Sequence, residues 1–107
     1  MTVSDLKTGR TVTCRNGERY IVLRDTAFDG KEKDILWRPG GFWMPLADYN
    51  DSLENKPDPE DDWLYIPDEE REKLDREYDI VEVQKADFVA AIGRRDYFAT
   101  KVMWRRG

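Results

Sequence analysis

The sequence predicts a mainly β fold: a small SH3-like barrel of five or six short strands, with minor helix, carrying an acidic loop-and-helix insertion. Three observations carry this. Short apolar or alternating runs recur between turn signals, notably Asn16-Gly17, Asp29-Gly30 and Pro39-Gly40. Four tryptophans, five tyrosines and four phenylalanines supply bulk for one compact core in 107 residues that are 38% charged. One stretch, 54–77, breaks the strand pattern and concentrates acid. A single domain, 1–107, with 54–77 as an insertion within it, follows.

The first two strands, 11–15 and 19–24, flank Asn16-Gly17, both residues able to take positive φ. A two-residue turn sets Val12 opposite Ile21; a bulged turn over Asn16, Gly17 and Glu18 sets Val12 opposite Val22. Tyr20-Ile21-Val22-Leu23 is apolar on both faces, so the second strand is expected to be covered on both sides. A third strand spans about 34–38. Pro39-Gly40 suits the centre of a type II turn, and 42–44 returns as a fourth strand closed by Pro45. Residues 46–53 read as an irregular, turn-rich passage.

Residues 55–62, NKPDPEDD, form a loop: two prolines, four acids and no apolar side chain. Ile66-Pro67-Asp68 opens a short helix, with Glu69–Lys73 and Glu72–Arg76 as i,i+4 pairs. Its apolar stripe is little more than Leu74, so it belongs on the surface. Residues 78–83, YDIVEV, alternate as a strand, with Ile80 on one face and Val81 and Val83 on the other. A helical turn over 86–92 and a last strand over 100–105 complete the chain.

Charge is sorted along this order. Residues 51–82 hold fourteen acidic and four basic residues, a net −10, against near neutrality before them and +4 after. Such a field attracts basic partners and repels nucleic acid. Trp63-Leu64-Tyr65-Ile66 sits inside the acids, where a merely solvating segment needs no apolar residue. The candidate partner-binding residues are therefore Asp58, Glu60, Asp61, Asp62, Glu69 and Glu70 for charge, with Trp63 and Tyr65 as anchor.

Catalysis finds little support. The chain has no histidine, which removes histidine triads and histidine acid–base chemistry. Its one cysteine, Cys14, lacks the usual activating partner and reads as a small hydrophobe. The acids near Glu60 lack the alternating spacing and glycine of a calcium loop, and Gly40-Gly41 opens no phosphate-binding helix. The expectation is a non-enzyme with no metal or cofactor. A second set, Arg15, Arg19, Arg38, Trp37 and Trp43, pairs cations with flat rings, as binding of a nucleotide signal or a single strand requires. The plainer reading places those tryptophans in the core with the arginines snorkelling outward.

The blocks LKTGRTVTCRNGERYIVLRDT (6–26), DILW (34–37), WMPLADYNDSL (43–53), YDIVEV (78–83) and MWRR (103–106) resemble a family of small proteins encoded largely by bacteriophages and other mobile elements. Residues 54–77 depart from that pattern, so the resemblance implies that the acidic insertion is where this chain's particular function is to be expected. Small phage proteins of this size often antagonise host defence, so the resemblance implies an inhibitor of anti-CRISPR or anti-defence type. It would act in the bacterial cytoplasm on a basic host protein, such as a nuclease or other nucleic-acid-binding protein. No apolar run is long enough to span a bilayer and no signal-peptide pattern is present, in keeping with that location. A homodimer through an exposed edge strand is a further expectation.

Overall fold

The structure, a computed structural model, describes residues 1–28, 31–57, 67–86 and 100–107. Six strands form one antiparallel sheet in the order β4-β3-β2-β1-β5-β6: β1 Thr11–Cys14, β2 Arg19–Phe28, β3 Lys31–Trp37, β4 Trp43–Pro45, β5 Ile80–Ala86 and β6 Thr100–Arg105. One helix, α1, spans Asp68–Glu77. The mainly β class holds, but the barrel is not closed: β4 and β6 stand at opposite ends of the strand order. β4 has only three residues and ends at Pro45, where the chain turns into the 3-10 segment Leu46–Asp48. Proline has no N–H to extend a ladder, so this edge is poorly suited to closure.

The first hairpin adopts neither expected register. Thr11 faces Ile21, Val12 faces Tyr20 and Thr13 faces Arg19. The cause lies in the turn. Gly17 N–H donates to the Cys14 carbonyl and Cys14 N–H to that of Glu18, each at 2.9 Å, with Gly17 at φ +87°. Arg15-Asn16 thus make the turn and Gly17 alone takes the left-handed position of a bulge. The Asn16 side-chain oxygen accepts the Glu18 N–H at 3.0 Å, an Asx-type closure that needs no positive φ at Asn16.

This register buries Val12, Cys14, Tyr20 and Val22 together. Leu36, Ile80, Val83, Leu6, Leu46, Tyr49 and Leu53 join them in the core. Val12, Val22, Leu36, Leu53 and Ile80 are fully buried at 0%. On the other face of β2, Ile21 and Leu23 are half-buried, so the strand is covered more completely on one side than on the other. Trp104 is half-buried and packs against that core, whereas Trp37 and Trp43, also half-buried, lie outside the core cluster, so the plainer reading that they fill the core fails. Aliphatic residues and two tyrosines do that instead.

The second hairpin matches its turn chemistry. Gly41 N–H donates to the Arg38 carbonyl at 3.3 Å across Pro39-Gly40, and Gly40 sits at φ +107° as a type II turn demands. β5 departs from simple alternation. Cys14 faces Ile80 but Thr13 faces Glu82, so Val81 is an extra residue and Ile80 and Val83 both reach the core. Leu53, buried at φ +62°, accepts left-handed strain to plug the core, while its carbonyl takes the Ile80 N–H at 3.0 Å. The helical turn expected at 86–92 meets the end of β5 at Ala86; its remaining residues lie outside those described.

Candidate functional site: an acidic helix fastened to the sheet

α1 begins after Pro67, with Asp68, Glu69 and Glu70 in its first turn, where carboxylates complement the positive end of the helix dipole. It buries no residue, and Leu74 is 42% exposed. Its charges are nevertheless sorted by direction. The Arg71 and Arg76 side chains are only 22% and 28% exposed, whereas Asp68 is fully exposed. Glu69, Glu70, Glu72 and Glu77 are exposed as well, with Lys73 among them. The solvent side of the helix is therefore more acidic than its composition.

Arg76 does not reach Glu72 as helical spacing suggests. Its Nε lies 3.1 Å from Asp79 Oδ2, and its Nη2 donates a short hydrogen bond to the Asn55 carbonyl. Asp79 is 2% exposed; its Oδ1 accepts the Asn55 N–H at 2.8 Å and Arg15 Nη2 stands 3.9 Å from Oδ2. Backbone bonds complete the joint. Arg15 N–H donates to the Asp79 carbonyl and Asn16 N–H to that of Glu77, each at 2.9 Å, and the Tyr49 hydroxyl donates to the Tyr78 carbonyl at 2.8 Å. One buried carboxylate thus gathers the helix end, the first hairpin turn and the loop at Asn55. Sequence reasoning left Asp79 inside a strand pattern. An acid directly before the apolar run Ile80-Val81 was the available signal.

Of the predicted partner-binding residues, Glu69 and Glu70 lie exposed on α1, while Asp58, Glu60, Asp61, Asp62, Trp63 and Tyr65 lie outside the described residues. The Arg/Trp set is divided between the two faces of the sheet. Arg19, Ile21, Trp37 and Trp43 share one face by register. Arg38 stands on the opposite side, 5.9 Å from the Tyr20 ring and 5.1 Å from that of Phe42, and it pairs with Glu18 at 2.8 Å. Arg15 points to Asp79. The Tyr20 hydroxyl donates to Glu18 at 2.7 Å; that bond and Arg38 hold the Glu18 carboxyl below its ordinary range. Burial and the neighbouring Glu18 push the Tyr20 phenol up.

Cys14 is 1% exposed, and burial pushes its thiol up to about 12, so it is a core residue and a poor nucleophile. A cleft of about 450 Å³ opens beside Val3, Asp34, Pro45, Leu46 and Tyr49. In its wall Arg24 is fully engaged: Nε donates to the Leu6 carbonyl at 2.7 Å, Nη2 to that of Val3 at 2.6 Å, and Nη1 to Asp34 at 2.9 Å. This closes the amino-terminal turn onto the sheet, so Arg24 serves as a structural clamp in the cleft wall. Among the described residues no cluster of carboxylates or thiols could hold a metal ion, and no helix is long and apolar enough to cross a membrane. Comparison with family models, curated proteins and solved structures finds no match.

Proposed function

We propose that this chain is a non-catalytic binding protein whose acidic surface docks on a basic, nucleic-acid-binding surface of another protein and blocks it. The observation that carries the reading is the sorting of charge on α1, with its arginines turned inward and its glutamates outward on a helix that buries nothing. A helix kept for its own packing would turn an apolar stripe inward. The acids of 58–62 extend the same charge along the chain, and Trp63 and Tyr65 supply aromatic anchors in the sequence. The resemblance to phage and mobile-element proteins supports an inhibitor of anti-CRISPR or anti-defence type, acting in the bacterial cytoplasm on a nuclease or similar host protein.

The test uses a triple variant, Glu69→Lys, Glu70→Lys and Glu72→Lys. Proteins captured by the wild-type chain from bacterial lysate are identified, purified and titrated against both forms. Binding that weakens as salt rises and collapses in the variant, with the fold intact by circular dichroism, is expected. Equal affinity of the two forms for every captured protein overturns the reading.

A further inference from the structure

The two edges of the sheet are built differently. β4 offers three residues and ends at Pro45, which cannot donate to an added strand. β6 runs for six residues without proline, and among the described residues no strand pairs with its outer side. Five of its six side chains are exposed, including Val102 at 41% and Met103 at 39%. Lys101 is exposed and the Arg105 side chain is 72% exposed despite its 2.9 Å contact with Glu82. Val102 faces the same side as Gln84 and Trp104 the same side as Val83. A strand laid along β6 would therefore meet an apolar side chain on either face.

We infer that the outer edge of β6 is a docking site for an extended, acidic segment of a partner protein, bound by strand addition. Backbone hydrogen bonds supply the register-independent part of such binding, and the side chains of Lys101 and Arg105 select its charge. Charge also chooses between occupants. A second copy pairing through β6 would set a strand with two basic and no acidic residues beside its own counterpart, and like charges brought together across a ladder are destabilising. The surrounding sequence, 83–107, holds six basic and two acidic residues and so repels itself in the same way. An acidic strand meets neither penalty. This surface is separate from α1 and opposite to it in charge, so it stands or falls independently of the function proposed above.

The probe is a short synthetic peptide alternating glutamate and valine, compared with its lysine–valine counterpart, each added to the full chain. Amide exchange followed by NMR locates the binding. The acidic peptide is expected to bind, to slow exchange at residues 100–105 and to bind roughly tenfold more weakly to the double variant Lys101→Glu, Arg105→Glu. Met103→Pro, at an exposed position, should abolish protection of the edge whether or not charge is altered. Equal binding of the two peptides, or protection elsewhere, overturns the inference. A chain that sediments as a dimer with β6 amides already protected overturns it too, since a second copy would then hold the edge.

Discussion

The sheet and the helix of this protein reach defined positions by opposite means. In β1, β2 and β5 the apolar side chains set the geometry: the register that buries Val12, Tyr20, Ile80 and Val83 is the one adopted, even at the expense of a bulge at Val81. α1 has no such stripe and buries nothing, yet its carboxy-terminal end is fixed by Arg76, Asp79 and a set of backbone bonds. Among the described residues, the carboxy-terminal end of α1 is thus placed by a polar junction rather than by an apolar stripe. Hydrophobic burial is non-directional, whereas a buried carboxylate accepting an N–H and a guanidinium is directional.

The comparison is broken most sharply by Leu36→Ala, which truncates a fully buried side chain of the core on β3. A loss of about 3 kcal/mol is expected, because the cavity adds to the lost transfer energy. Urea denaturation followed by tryptophan fluorescence measures it. A loss below about 1 kcal/mol would mean the core can collapse around the gap, which is less than close packing permits.

Asp79→Ala comes next, at about 2 kcal/mol, since it leaves Arg76 Nε and the Asn55 N–H without their acceptor. Its distinctive signature is local. Amide exchange should rise at the end of α1, near Asn55 and at the Arg15-Asn16 turn, ahead of global opening. A uniform rise across the sheet would show that Asp79 supports the core rather than the joint.

How much of this could be read from residues alone varies by region for physical reasons. Turn chemistry is local, so Pro39-Gly40 and the strand at Thr100–Arg105 were legible with their bounds. Register is not local: Asn16-Gly17 permits several turns, and only packing of Tyr20 against Val12 selects among them. The tryptophans misled for a related reason, since aromatic bulk shows how much surface can be buried and not which face receives it. Barrel closure is not local either: Pro45 is visible in the sequence, but whether β4 and β6 meet depends on the strand order of the whole sheet. Asp79 was hidden because a buried acid in a strand differs from an exposed one only by partners far away in sequence, Arg15 and Asn55. For the candidate site, the sign of α1 was legible from composition, and the inward turn of Arg71 and Arg76 was not.

A smaller effect follows from acid titration of the sheet. The Asp25 N–H at 2.9 Å, and then Arg24, hold the Asp34 carboxyl below its ordinary value, so the folded state binds that proton more weakly than the unfolded chain. Its stabilisation is complete above the unfolded value of about 3.9 and disappears as pH falls through the lower folded value. Asp34→Asn should therefore be less stable than wild type at neutral pH and converge with it in acid. Urea midpoints in a pH series test this, and a gap that widens below about pH 4 would contradict the sign.

The smallest expected effect belongs to the helix and sharpens the contrast from its other side. Leu74 is the one large apolar side chain of α1, and at 42% exposure it makes little of the contact that a docking stripe would make. Leu74→Ala also places the better helix former at that position, offsetting part of any lost burial. The change should stay within about 0.5 kcal/mol by urea denaturation, as for surface substitutions in general. A loss near that of Leu36→Ala would show that α1 is held by apolar packing after all. Its arginines would then face inward as a consequence of that packing, and the sorting of charge on α1 would no longer favour the proposed docking.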